Sequence, residues 1–160
     1  MKYLKLLFPI LFAWFTTSAQ LVVQVFDGDT YKVLENGKFT IIRLVNVDAP
    51  ELSQYYGKTV KACVSKLILA RIVKLEIYGK DRYGRTLAIV TIDNMQLDSL
   101  LISKGWAWNY LPYSHHLYLS TYEAKARKSN AGLWKCKNNI PPWEWRKLNK
   151  KQKRLKEMCR

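Results

Sequence analysis

The 160-residue sequence predicts an α+β fold that is mainly β: a five-stranded Greek-key barrel with about three helices. Three observations carry this. Residues 20–47 hold three runs of alternating apolar and polar residues, the period of half-buried strands. The last two runs are joined by Asn36-Gly37, a dipeptide suited to the two positive-φ positions of a type I′ hairpin turn. Two further strand patterns follow a segment of helical period, so a meander is completed by strands from later in the chain.

In order, Gln20 to Phe26 reads as a first strand, with Leu21, Val23 and Val25 on one face. Asp27-Gly28-Asp29-Thr30 turns the chain, Thr30 to Glu35 is a second strand, and Phe39 to Val47 a third. Leu52 to Gly57 is a polar loop. Lys58 to Ala70 is predicted helical, with Val60, Val64, Leu67 and Ile68 on one face and Cys63 at its edge. Arg71 to Tyr78 and Thr86 to Ile92 are strands four and five, linked by the basic loop Gly79 to Arg85. Leu97 to Lys104 is a short helix stopped by Gly105. An aromatic segment, Trp106 to Tyr113, precedes a last helix over Leu119 to Asn130, and Pro141-Pro142-Trp143-Glu144-Trp145-Arg146 is expected to dock its tryptophans on the body. Five strands with a helix between the third and fourth match a barrel of the oligonucleotide-binding (OB) type.

Length allows one domain with one core, and 49% hydrophobic residues excludes a disordered chain. Residues 1–19 read as a secretory signal peptide. Lys2 and Lys5 precede the apolar run Leu6 to Phe15, which is short for a bilayer span, and Thr16-Thr17-Ser18-Ala19 offers small residues for cleavage. The mature domain is then 20–146, followed by a basic tail, 147–160. No transmembrane segment is expected in the mature chain, whose destination is secreted or periplasmic. Net charge is +15, of which +7 lies in residues 146–160, so a polyanion is the expected partner. Cys63, Cys136 and Cys159 in an exported chain suggest one bridge and one leftover thiol, with no zinc-type spacing.

The chemistry-bearing stretch is Arg43-Leu44-Val45-Asn46-Val47-Asp48-Ala49-Pro50-Glu51. A strand that stops at Ala-Pro delivers Asp48 and Glu51 to a rim, with Arg43 a few residues back. Loops carry acids routinely, so this alone is ordinary. The hairpin changes its meaning. It brings the start of strand two and the end of strand three to one sheet edge, and so Asp29 near Asp48.

Together, Val25-Phe26-Asp27-Gly28-Asp29-Thr30, Arg43 to Glu51, Asp81-Arg82-Tyr83-Gly84-Arg85 and Ala131-Gly132-Leu133-Trp134 resemble the staphylococcal nuclease (thermonuclease-like) family over roughly residues 21–146. The resemblance implies that Asp29, Asp48 and the backbone carbonyl of Ala49 hold a Ca²⁺ ion. Family members often have threonine at the last position; alanine keeps the carbonyl. It further implies that Glu51 positions or deprotonates the attacking water, and that Arg43 and Arg85 hold the phosphodiester. Asp27 would stand behind the metal ligands, and Arg82, Tyr83 and Tyr113 would contact substrate. The implied activity is a Ca²⁺-dependent endonuclease, a hydrolase that cuts DNA and RNA with little base specificity and leaves 3′-phosphate ends. No stable protein partner is implied, and a monomer is expected. The chemistry suits these residues: Ca²⁺ is a hard cation that takes oxygen ligands, and arginine forks match phosphate oxygens. Two other classes compete. A non-catalytic nucleic-acid-binding barrel would lose acids or arginines from this set. An adhesin using the tail on an anionic envelope explains the tail and not the acids.

Overall fold

The computed structural model describes residues 19–112, 114 and 116–156. Residues 1–18, all but the last of the expected 1–19 signal segment, lie outside the described residues, as do Tyr113, His115 and residues 157–160 with Cys159. The barrel is built from β1 (Gln20–Val25), β2 (Thr30–Glu35), β3 (Lys38–Leu44), β5 (Ile72–Lys80) and β6 (Thr86–Ile92). The sheet runs β3-β2-β1-β5-β6, and a parallel pairing of β3 with β6 closes it, with Arg43 opposite Leu87. The remaining strands are two residues each: β4 (Val47–Asp48), β7 (Met95–Gln96) and β8 (Trp108–Asn109). Among the described residues five α-helices surround the barrel: α1 (Gly57–Ile68), α2 (Leu97–Ser103), α3 (Tyr118–Lys128), α4 (Pro142–Trp145) and α5 (Lys150–Lys156).

Asn36 and Gly37 turn the β2–β3 hairpin with φ of 48° and 76°, the positive values that a two-residue turn demands. The resulting register sets Thr30 opposite Arg43 and Tyr31 opposite Ile42. On β3 the inward face is Ile42 and Leu44, both fully buried, while Phe39, Ile41 and Arg43 take the other face. Val60, Val64 and Ile68 of α1 pack into the same core as Val22, Val33 and Ala88.

The expected third strand, Phe39 to Val47, is two strands. β3 ends at Leu44, the chain bends at Val45 and Asn46, and Val47–Asp48 pairs with Trp108–Asn109 instead. The bend is held from within: Arg43 Nη1 donates to the carbonyls of both Leu44 (2.8 Å) and Val47 (2.7 Å). Val45 N–H turns to the Ala88 carbonyl, and the Asn46 carbonyl accepts from Tyr110 N–H.

The C-terminal segment docks as its prolines and tryptophans suggest. Trp145 is 2% exposed and donates from Nε1 to Ser53 Oγ at 3.1 Å. Gln54 Nε2 donates to the Ile140 carbonyl, and Trp143 lies against Tyr110 with ring centroids 5.4 Å apart. Trp108 is core, edge-on to Trp134 at 5.2 Å. Cys63 is a free thiol and Cys136 is disulfide-bonded. Among the described residues no helix is long and apolar enough to cross a membrane.

Candidate active site

Asp29 and Asp48, 19 residues apart in the chain, meet on one guanidinium. Arg43 Nε lies 3.2 Å from Asp29 Oδ1, and its Nη2 donates to Asp48 Oδ1 at 2.8 Å. The second Asp29 oxygen accepts the Ala49 N–H at 2.6 Å, and the Thr30 hydroxyl donates to the first. Gly28 makes this approach possible: a Cβ there would lie 2.6 Å from both the Ala49 Cβ and the Val60 Cγ1. Only a bare backbone lets the Asp27–Asp29 turn settle against Ala49.

Asp27 organises that turn. Its Oδ1 accepts the N–H groups of Asp29 (3.0 Å) and Thr30 (2.8 Å). Burial, followed by the neighbouring Asp29 charge, pushes its carboxyl up from 3.8 to about 7. Burial also raises the Asp48 carboxyl, against the opposing pull of hydrogen bonds from Arg146. For Arg43, burial disfavours the cation, but Asp29 and Asp48 outweigh it and hold the group charged.

Three of the five N–H bonds of Arg43 donate to Asp48 and the two carbonyls at the bend, and its Nε faces Asp29 as an ion pair. Arg43 is therefore a rigid fixture. Arg85 is the opposite. Its Nε donates to Asp81 Oδ2 at 2.7 Å, and its two Nη groups make no hydrogen bond among the described residues. Asp81 shapes the loop: its Oδ1 accepts the N–H of Tyr83 and of Arg85. Burial pushes its carboxyl up, but the Arg85 Nε–H bond, those backbone bonds and the Arg85 charge outweigh it and hold the group below the usual range. Tyr83 is 69% exposed, with Arg82 and Arg85 guanidinium carbons 4.9 and 5.5 Å from its ring centroid.

These groups line one cleft of about 870 Å³, which contains Asp27, Asp29, Arg43, Asp48, Ala49, Glu51, Arg82, Tyr83 and Arg85. Every site residue expected from the sequence is therefore gathered there except Tyr113, which is outside the described residues. Tyr110 also lines the cleft. Two members were not anticipated. Asp81 is one; its spacing of four from Arg85 across a Gly-containing turn was the available signal. Arg146 is the other. Its Nη2 donates to Asp48 Oδ2 at 2.7 Å, and its Nη1 lies 2.9 Å from Glu51 Oε1 and 3.2 Å from Asp48 Oδ1.

The donor set suits a hard cation. Asp29, Asp48, Glu51 and the Ala49 carbonyl offer oxygen only, and the three acids outnumber Arg43 and Arg146, the arginines set directly against them. Asp48 already binds a cation, the Arg146 fork. Among the described residues no three His, Cys, Asp or Glu side chains form a cage by themselves. A metal held here would take the Ala49 carbonyl and water as well as Asp29 and Asp48.

A model of the family described as staphylococcal nuclease homologue matches residues 41–136. This chain belongs to that family. An Escherichia coli O157:H7 protein named as an uncharacterized endonuclease is 36% identical over 149 residues, covering 91% of this chain and 97% of its own. A protein of Haemophilus influenzae with the same description is 40% identical over 131 residues, 81% of this chain and 73% of its own. A Shigella flexneri protein named micrococcal nuclease is 32% identical over 140 residues, 81% of this chain and 80% of its own. The closed barrel of mixed strands is the fold expected of a staphylococcal nuclease homologue. The family match ends at residue 136, so Arg146 stands outside it.

Proposed function

We propose that the chain is an exported, Ca²⁺-dependent nuclease that hydrolyses phosphodiester bonds of DNA and RNA with little base specificity and leaves 3′-phosphate ends. One observation carries this reading: Asp29, Arg43, Asp48, Glu51 and Arg85 converge on a single cleft, with no acid or arginine of the set missing. A binding barrel without catalysis has no need to bury two carboxylates beside a candidate base. The family and its nuclease-named relatives support a hydrolytic activity.

The division of labour follows from the contacts. Asp29, Asp48 and the Ala49 carbonyl would hold the ion. A bound Ca²⁺ supplies Lewis-acid charge at a phosphate oxygen and a template for its position. Glu51, half-exposed at the rim, orients or deprotonates a water for attack on phosphorus. Arg85 offers its Nη fork to the equatorial oxygens, where negative charge grows in the transition state. Arg43, mostly engaged within the protein, holds the Asp29 and Asp48 carboxylates in place on one guanidinium. Tyr83 and Arg82 present an exposed aromatic face and a cation to the flanking nucleotide, contacts that any base can make. The signal segment directs the chain to the periplasm or the exterior, where it acts as a monomer without a stable protein partner.

The mature chain, purified and given plasmid or RNA, should cleave with Ca²⁺ and stop with chelator. Asp29→Ala, Asp48→Ala and Arg43→Ala should each remove most cleavage while circular dichroism still reports a folded barrel. Binding without cleavage in Ca²⁺ would instead support a non-catalytic nucleic-acid-binding OB barrel.

A further inference from the structure

We infer that Arg146 is a positioning residue of the active site, a fourth arginine of the cleft that holds Asp48 and Glu51 together and competes with the divalent cation for Asp48. This deepens the proposed function and rests on it.

The contact is built by the fold. Trp145, next in the chain, is buried and hydrogen-bonded to Ser53, and Gln54 holds the Ile140 carbonyl. Ser53 and Gln54 belong to the loop that follows Glu51, and the Glu51 N–H itself donates to Gln54 Oε1 at 2.8 Å. The segment that delivers Arg146 is therefore anchored to the same loop that carries Glu51. An arginine on a loose tail would sample many positions. This one is placed by two side chains that neighbour its targets.

The fork geometry is specific. Nη2 and Nη1 both address the Asp48 carboxylate, and Nη1 also reaches Glu51. Bidentate arginine–carboxylate pairing is strong and directional, and lysine does not reproduce it. Asp48 is 2% exposed at its side chain, whereas the Arg146 side chain is 47% exposed. The cation can leave to solvent; the carboxylate cannot. A divalent ion approaching Asp48 therefore has to displace or share a guanidinium that already satisfies it. The same guanidinium tethers the Glu51 carboxylate, which would otherwise turn freely at the rim.

The test uses the full mature chain with Arg146→Gln and Arg146→Lys. The Arg146 side chain is half-exposed and contributes nothing to the core, so both variants should fold. Isothermal titration of Ca²⁺ without substrate is the first readout. Arg146→Gln should bind Ca²⁺ roughly ten- to a hundredfold more tightly, the worth of a charge-assisted hydrogen bond no longer broken. In chelator it should melt below wild type, and added Ca²⁺ should raise its melting temperature by more. At saturating Ca²⁺ its kcat should fall about tenfold or more with a smaller change in KM, because Glu51 has lost its tether. Arg146→Lys should lie between the two. Unchanged or weaker Ca²⁺ binding by Arg146→Gln, with wild type binding normally, would overturn the inference and leave the proposed function standing. If wild type binds no Ca²⁺ but cleaves with another divalent cation, the Ca²⁺ assignment fails and the same titration with that cation decides Arg146. Cleavage in chelator would sink both.

Discussion

Arg85 Nε stands 2.7 Å from Asp81 Oδ2, within one five-residue loop. The pair aims the Arg85 fork into the cleft without consuming its Nη groups. Arg85→Ala should lower kcat by on the order of 10²–10³, the usual loss for a transition-state donor. Asp81→Asn keeps an acceptor for the loop N–H groups but removes the charge behind Arg85, and should cost about tenfold. Stability should change by less than about 1 kcal/mol, because the pair is part-exposed. Steady-state kinetics beside urea denaturation of both variants checks this.

The carboxyl of Asp27 gives the metal-free protein a specific pH response. Its folded pKa is about 7 against an ordinary 3.8, so between these values the folded chain holds a proton that the unfolded chain has released. Stability is then lost as pH rises from about 4 to 7, with the sign opposite to that of a salt-bridged aspartate. Asp27→Asn keeps an oxygen for the Asp29 and Thr30 N–H groups and removes the charge. It should be more stable than wild type at pH 8 and nearly equal at pH 4. Urea midpoints at the two pH values in chelator test it; equal midpoint differences at both would refute it.

Gly28 is a packing requirement. Gly28→Ala brings a methyl group against Ala49 and Val60, and should destabilise by about 1–3 kcal/mol. The turn must shift to relieve the clash, carrying Asp29 with it. Loss of Ca²⁺ affinity is expected even at temperatures where the variant is fully folded. Calorimetric titration at 10 °C separates this effect from unfolding.

The helix α5 holds Lys150, Lys151, Lys153, Arg154 and Lys156 and buries none of them. So many like charges within two turns repel one another unless a polyanion lies alongside. Changing all five to glutamine should leave the barrel intact and flatten the salt dependence of DNA binding. The slope of log K on log salt should fall by about 0.9 for each phosphate contact removed. An unchanged slope would show a solvated charge run with no part in capture.

Much of the site was legible because it depends on local signals. Asn36-Gly37 fixes a hairpin register, and that register alone puts Asp29 beside the end of β3. The Gly79–Arg85 segment carries Gly79 before Asp81 and Gly84 before Arg85, both at positive φ. What escaped depends on distant partners. The break after Leu44 follows from a side chain folding back on its own strand and from pairing with Trp108–Asn109, and alternation simply ran through it. Arg146 sits at the domain's last position and counts, by sequence, with the charge run of residues 146–160. Nothing local separates it from Lys147; its partners Asp48 and Glu51 lie 98 and 95 residues away. The docking expected of the Pro-Pro-Trp segment was the one hint that its neighbour would be held in place.

The β3–β6 seam has a kinetic consequence. The hairpin that unites Asp29, Arg43 and Asp48 is local and can form early, whereas Arg85 arrives only when the parallel pairing of Ile42–Leu44 with Thr86–Ala88 shuts the barrel. That pairing joins residues more than forty positions apart, so it carries the larger loop-closure entropy and is the later event. During refolding, the recovery of cleavage should lag behind the recovery of hairpin signals. On the proposed mechanism, a chain whose β3–β6 seam is still open lacks the Arg85 fork at its cleft, so it should stay harmless until that seam is in register.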